Sequence, residues 1–298
     1  MKKSLLFTLY VMLLGHLFIF AQNGVSDRNV VFQDVAWAPD GQSIFYSYII
    51  VKKDWSDFKP QNWKIGRTWI ADNRTETVAE PGLYVSVFPD NNRITFSNNQ
   101  DIYIKNIKSG KLINLTQHDA KDGAPAVSPD GKWIAFCSDR NGGYEVFLMH
   151  KTGKTITQLT HSEGYKAYNP AWSPNGKQFC YYLEKGDGMD QVHVINKDGS
   201  GDYNITNDDY NNIYPAWTQN GQILYAASKK GEPIRLRIVD PATGNKVELQ
   251  GLNGFFARQS PDGEMIAFLG DQTNRGISIA KPDGTNLRQI VSQAQFLK

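Results

Sequence analysis

Histidine, cysteine and unbalanced charge are all scarce in this 298-residue chain, and each shortage narrows what the protein can be. Five histidines, one of them (His16) inside an N-terminal apolar run, leave little material for a multi-histidine metal centre. Two cysteines, Cys137 and Cys180, make no zinc signature and no disulfide framework. Apolar runs long enough to span a bilayer are missing after residue 21, as are helical periodicity of useful length, a phosphate-cradling glycine loop and a calcium loop. No Gly-x-Ser-x-Gly nucleophile elbow occurs, so an α/β-hydrolase site built on that turn has no starting point.

The N-terminus is an exception to the scarcity of apolar runs. Lys2 and Lys3 are followed by Leu5–Phe20, then by Ala21 and the polar Gln22, Asn23 and Gly24. That order reads as a secretory signal peptide over residues 1–21, with retention as an anchor the alternative. No cysteine follows the run to take a lipid. Without Lys2 and Lys3 the chain balances 30 basic against 30 acidic residues, which speaks against nucleic acid or an anionic membrane as partner. The expectation is a single domain over residues 22–298, periplasmic or secreted.

What the chain has in quantity is turns. Six times, at intervals of roughly 40–50 residues, a tight-turn motif stands between two short apolar runs. It reads Ala-Trp-Ala-Pro-Asp-Gly at 36–41, Ser-Val-Phe-Pro-Asp-Asn at 86–91 and Ala-Val-Ser-Pro-Asp-Gly at 126–131. It returns as Ala-Trp-Ser-Pro-Asn-Gly at 171–176, Ala-Trp-Thr-Gln-Asn-Gly at 216–221 and Arg-Gln-Ser-Pro-Asp-Gly at 258–263. Proline presets the first turn residue, Asp or Asn suits the second, and glycine supplies the positive φ that closes a short hairpin. Within the third copy, Ala124–Ser128, Trp133–Ser138, Glu145–Met149 and Thr155–Thr160 are four strands separated by three turns, the unit of a propeller blade.

The alignment assigns most side chains to packing. The second strand repeats an apolar pair spaced by two: Ile44/Tyr46, Ile94/Phe96, Ile134/Phe136, Phe179/Tyr181, Ile223/Tyr225 and Ile266/Phe268. The first strand alternates small Ala36, Ala126, Ala171 and Ala216 with large Trp37, Val127, Trp172 and Trp217, which predicts buried tryptophans between blades. The third strand places Trp69, Tyr103, Phe147, His193, Arg237 and Ser278 in one register, and the fourth ends on Leu-Thr or Ile-Thr. Cys137 and Cys180 share one strand parity, which predicts two buried thiols that do not face each other. The fold expected is all-β, a six-bladed β-propeller with four antiparallel strands per blade. Its ring closes either through Leu287–Val291 as a self-contained last strand or through Asn29–Phe32 as a clasp.

The stretches Pro-Ala-Trp-Ser-Pro-Asn-Gly-Lys at 170–177 and Ser-Pro-Asp-Gly-Lys-Trp-Ile-Ala-Phe-Cys-Ser-Asp-Arg at 128–140 resemble the repeats of TolB-type β-propellers. Related repeats occur in the propellers of prolyl-oligopeptidase-type peptidases and of oligogalacturonate lyases. The resemblance implies the fold over nearly the whole chain and leaves function open between binding modules and enzymes. TolB itself has an additional N-terminal domain, whereas only Gln22–Val30 separates the leader from the first repeat here. The expectation is therefore a TolB-like propeller other than TolB proper.

Three departures from the repeat carry the functional reading, all assigned to the face where blades connect. Lys52–Gly66 is an insertion with Trp55, Phe58 and Trp63 among lysines, read either as an arm that stacks on a partner or as a loop anchored by its own aromatics. Tyr84, Tyr168, Asn169, Tyr214, Phe255 and Phe256 lead into the inner strands. Arg258 fills a slot that is Ala in four other repeats, either to meet an anionic ligand or to pair with an acid where the last blade meets the first. His118 and His161 lie in connections beside Asp119 and Glu163, at 11 and 13 residues before Pro129 and Pro174. Lyases of the resembled family hold a divalent metal with several channel histidines, and too few stand in suitable loops here to carry that motif across. The reading is an exported binding module for another envelope protein or a glycan, with no catalytic set, metal or cofactor assigned. The alternative is a metal-dependent lyase or hydrolase of acidic oligosaccharides using His118, His161 and Arg258.

Overall fold

A computed structural model describes residues 27–271 and 275–297, so the expected signal peptide lies outside the described residues. Four separate four-stranded antiparallel sheets come first. The first holds β1 (Arg28–Trp37), β2 (Ser43–Lys52), β3 (Lys64–Trp69) and β4 (Thr75–Ala79). The second holds β5 (Leu83–Val87), β6 (Arg93–Asn98), β7 (Asp101–Asn106) and β8 (Leu112–Asn114). The third holds β9 (Asp122–Val127), β10 (Trp133–Ser138), β11 (Glu145–His150) and β12 (Thr157–Gln158). The fourth holds β13 (Lys166–Trp172), β14 (Gln178–Glu184), β15 (Gln191–Asn196) and β16 (Tyr203–Asn204).

The repeated turn folds as its residues dictate. In the third sheet Gly131, at φ 65°, donates its N–H to Ser128 O. Ser128 Oγ donates to Asp130 Oδ1 at 2.5 Å and accepts the Trp133 N–H at 2.9 Å, and Asp130 Oδ1 takes the Lys132 N–H. The same knot recurs around Ser173 and Asn175, Thr218 and Asn220, and Ser260 and Asp262. Each turn satisfies its own polar groups, so each hairpin register is set locally.

The rest of the chain departs from six separate sheets. β17 (Asn211–Trp217), β18 (Ile223–Ser228), β19 (Arg235–Val239), β20 (Lys246–Gln259), β21 (Ile266–Gly270), β22 (Gly276–Ala280) and β23 (Arg288–Ser292) form one seven-stranded sheet. β20 pairs with β19 through Lys246–Glu248 and with β21 from Gly254 onward. The earlier blades break here with polar connections such as Thr-His-Ser-Glu-Gly. This one runs Gln-Gly-Leu-Asn-Gly, with Leu252 drawn inward to 1% exposure, and the backbone stays extended. Gly254 is required at the change of partner, because a Cβ there would stand 2.1 Å from Leu269 O.

The first strands make a closed ring. β1 packs on β5, β5 on β9, β9 on β13, β13 on β17, β17 on β20, and β20 on β1. The architecture is thus an all-β propeller of four-stranded units around a central channel. β1 pairs along its whole length with β2, and β23 pairs with β22, so Asn29–Phe32 adds no strand to the last sheet. Side chains close the ring instead. Phe296, after the last strand, wedges against Phe32 and Tyr48 with ring centroids 5.9 and 4.7 Å away. Arg288 Nη2 donates to Ile70 O and Gln295 Nε2 to Asn73 O.

The cores lie between sheets. Val146 and Leu148 of the third pack with Phe179 and Ile195 of the fourth, and Phe88 and Ile104 of the second with Phe136 and Met149 of the third. The second-strand pairs expected from period two are all at or below 2% exposure. Both thiols are free and buried, and burial pushes Cys137 up to about 12 and Cys180 higher still. Two slots differ from expectation. Opposite Tyr46 stands Gly66, not Trp69, because the Tyr46 ring occupies the place a Cβ would take, 2.5 Å away. The first-strand tryptophans are half-buried rather than buried, and their indoles reach the neighbouring unit. Trp37 Nε1 donates to Arg258 O and Trp172 Nε1 to Ala126 O, both at 2.9 Å, whereas the buried Trp217 Nε1 has no partner among the described residues.

That contrast predicts opposite outcomes for one substitution. Trp172→Phe loses an inter-sheet hydrogen bond and should cost about 1–2 kcal/mol in urea unfolding. Trp217→Phe removes an unpaired buried donor and should cost less or stabilise. Equal costs would refute the indole staple.

Candidate functional site

Every first strand carries a register shift near its middle, between Phe32/Asp34, Leu83/Ser86, Tyr168/Ala171, Ile213/Ala216 and Phe255/Arg258, and opposite Ala135/Cys137. In five of them the bulged residue is left-handed: Tyr84 (φ 57°), Ala124 (φ 49°), Asn169 (φ 51°), Tyr214 (φ 54°) and Phe256 (φ 53°). Bulky residues rarely adopt this conformation, and a bulge re-aims the side chain. Here the bulged Tyr84, Tyr214 and Phe256 join one aromatic layer. Tyr84 lies 6.5 Å from Phe256, which stacks on Tyr214 at 3.8 Å. Tyr214 meets Tyr182 at 5.5 Å, Tyr182 meets Tyr168 at 5.7 Å, and Tyr168 meets Tyr144 at 5.2 Å. Phe255 packs on both Tyr214 and Phe256.

The structure thus brings Tyr168, Tyr214 and Phe255 together as expected, but as a packed layer. Phe256 is 1% exposed, and Tyr214 and Phe255 are 8% exposed. Burial pushes the Tyr182 and Tyr214 hydroxyls well above their ordinary range, so the layer is uncharged. Tyr182 was not singled out in the sequence. Its signal was parity, since it follows core Tyr181 and must point the other way.

Arg258, expected on the connection face, stands instead two residues past Phe256 toward the turn at 260–263. Its Nη1 donates to Ala257 O at 2.9 Å, and the charge within its reach is Asp34 of β1, though the two form no close ion pair. Asp34 is itself occupied: Oδ1 accepts the Ser47 N–H at 3.0 Å and Oδ2 the Val85 N–H at 2.6 Å, tying the first sheet to the second. Burial pushes its carboxyl from 3.8 up to about 6, against the hydrogen bonds and Arg258, which pull it down. The acid expected where the last unit meets the first is present, at a distance.

The insertion is a loop between β2 and β3. Trp63 is 2% exposed and packs with Ile49, Val51 and Leu83, while Trp55 and Phe58 lie half-buried on that cluster with rings 5.6 Å apart. Asp57 holds the loop by accepting the Lys52 N–H at 2.7 Å and pairing with Arg28 at 3.1 Å. Lys53 to Asn62 remain on the surface or half-buried.

His118 and His161 are exposed and occupy different slots of successive connections. His118 N–H donates to Asp101 Oδ1 at 3.4 Å, as Ser162 N–H does to Glu145 and Asp208 N–H to Gln191. Its Nδ1 accepts the Ala120 N–H at 3.0 Å, just as Asp208 Oδ1 accepts the Tyr210 N–H, so it caps a turn. His161 Nδ1 lies 3.2 Å from Gln158 Nε2. Among the described residues no group of three or more His, Cys, Asp and Glu is placed to hold a metal. No helix among them is long and apolar enough to cross a membrane.

Comparison with known proteins places this architecture. The family model described as TolB beta propeller domain matches residues 20–182. The Tol-Pal system protein TolB of Francisella tularensis subsp. mediasiatica is 30% identical over 172 residues, 55% of this chain and 38% of that protein. The chain spans 36–38% of the length of the first curated relatives it matches. Among solved structures, TolB from Acinetobacter baumannii superposes with a TM-score of 0.64 at 21% identity, covering 93% of this chain and 65% of that one. An oligogalacturonate lyase in complex with manganese does so with a TM-score of 0.64 at 12% identity, covering 89% and 78%. At these identities the structures speak to fold.

Asp34 yields a pH prediction. Its folded pKa is raised, so its contribution to stability is complete below about 3.8 and is lost as pH rises through about 6. Against an Asp34→Asn variant, wild type should therefore lose roughly 3 kcal/mol over that window. Unfolding free energies measured from pH 4 to 7 should show the two curves converging or diverging with that sign, and parallel curves would refute it.

Proposed function

Since this chain belongs to the TolB β-propeller domain family, we propose that it is an exported, non-catalytic binding module. In this reading it is a six-bladed propeller, with β20 ending the fifth blade and beginning the sixth. It works outside the cytoplasm, periplasmic or secreted, and engages another envelope protein or a glycan through the face where its blades connect.

One observation carries the reading: Trp55, Phe58, Tyr165 and Met189 place partly exposed aromatic and apolar side chains on loops of that face. Trp55 and Phe58 rise from the first blade. Tyr165 (44% exposed) and Met189 (37% exposed) stand on loops of the same face, beside the half-buried Tyr84, Tyr144 and Tyr168. Rigid aromatics over a packed layer offer contact area at low entropic cost, the usual make-up of a protein or sugar contact. The buried Trp63, Tyr214 and Phe255 support that surface from beneath. His118 and His161 sit at its rim as turn caps, available for hydrogen bonds to a partner. The manganese of the lyase relative belongs to that protein, and a metal-dependent activity on acidic oligosaccharides is the competing reading.

Replacing residues 53–62 with a short Gly-Ser bridge, Trp63 retained, should leave the propeller folded at a cost of about 2–3 kcal/mol, from the lost cover of Trp55 and Phe58 rather than from loop length. Crosslinked capture of a partner from an envelope extract should fall several-fold. Undiminished capture would remove the arm from the binding surface. In parallel, manganese with oligouronides should neither raise the melting temperature nor yield cleavage. A ligand at 100 times its Kd would add about 2.7 kcal/mol, so metal-dependent stabilisation or cleavage would establish the enzyme instead.

A further inference from the structure

The axis of the ring is filled by rings at one level and partly accessible at the next. At the aromatic layer the central Phe256 and Tyr182 are at most 2% exposed, while Tyr84 and Tyr168 at its edge are half-buried. Two residues nearer the opposite, turn-bearing face comes the slot held by Ala36, Ser86, Ala126, Ala171, Ala216 and Arg258. Ala36, Ser86, Ala126 and Ala171 are partly accessible, although they are small residues on the innermost strands. The level on the turn side of the rings is therefore partly reached by solvent. Ala216 is 3% exposed, and Ala36, Ala126 and Ala171 also pack on the cores between sheets. The five small residues share that level with a single arginine.

Its charge is poorly compensated there. Of the five guanidinium N–H donors, Nη1 is accounted for by Ala257 O, and no carboxylate comes within ion-pair distance of Arg258 among the described residues. Asp34 has spent both oxygens on backbone N–H groups. The enclosure depresses the guanidinium below its ordinary value, which reports a cation short of partners. The residue is still partly reached by solvent, and its other guanidinium donors carry no hydrogen bond among the described residues. A planar fork with one edge free is suited to a carboxylate.

We propose that the turn-face half of the channel is a binding pocket for a small carboxylate, held at its closed end by Arg258 and walled by the alanines of the other first strands. The pocket is separate from the connection-face surface and does not depend on it. The half-buried Trp37, whose indole donates to the Arg258 carbonyl, stands beside the site and reports on it.

The test uses acetate as probe, with chloride at equal ionic strength as control. Wild type should show a saturable rise in melting temperature and a matching change in tryptophan fluorescence. Arg258→Ala installs the residue that four other first strands carry in this slot, so it should fold, and it should lose both responses. Asp34→Asn removes the neighbouring negative charge and should tighten acetate binding several-fold. An acetate response equal to that of chloride in wild type, or one that survives in Arg258→Ala, overturns the proposal.

Discussion

Strands that converge on a common axis have room there for backbone and very little else, and most of this molecule's unusual features answer to that crowding. Six first strands meet in a closed ring, and all six shift register at about the same height. The shift turns one residue per strand toward the centre and lets the strand bend away below it. Where the turned residue is aromatic, as with Tyr84, Tyr214 and Phe256, the rings fill the axis themselves. Below them the same crowding admits only Ala or Ser, and the one exception, Arg258, takes the leftover volume. The aromatic layer, the small-residue ring and the lone cation are thus three consequences of one packing problem.

The layer also separates two chemistries. Above it, on the connection face, apolar and aromatic side chains are offered to the outside from loops that the core holds in place. Below it, a charged group is enclosed without a close counter-ion. A low-polarity septum strengthens the field of a charge on its wet side, because fewer dipoles screen it. Arg258 therefore influences Asp34 across a gap that is too wide for an ion pair, and each opposes the shift that burial imposes on the other without overcoming it.

Much of this was legible in the residues. The turn motif is local chemistry, with Ser, Pro, Asp and Gly satisfying one another within six residues, and local chemistry survives any tertiary context. The second-strand pairs were equally clear, since period two leaves a buried face no alternative. What escaped was decided by neighbours distant in sequence. Gly66 takes a slot assigned to Trp69 because Tyr46, twenty residues earlier, needs the space. β20 runs unbroken because Leu252 has a core to enter, which no turn rule foresees. Of the two readings open for Trp63, projecting arm or anchor, the cluster of Ile49, Val51 and Leu83 beneath it selects the anchor. His118 stood as a candidate contact residue, and its turn role escaped because it depends on the fold of the connection, where its ring does the work of Asp208 in the equivalent turn.

Asp34 shows how one substitution along the repeat forces another. The residue after the bulge is Pro125, Pro170 or Pro215 in three first strands, and proline brings no N–H to the crowded axis. The second unit has Val85 there instead, 6% exposed, with an N–H that burial obliges to find an acceptor. The preceding unit supplies it, with Asp34 in the place where Asn169 stands in the fourth. A buried carboxylate then costs desolvation, which its two N–H donors and the field of Arg258 offset in part. The acid and the base at the axis are therefore linked through a missing proline. Had Val85 been proline, Asp34 would have had one donor fewer to justify its charge.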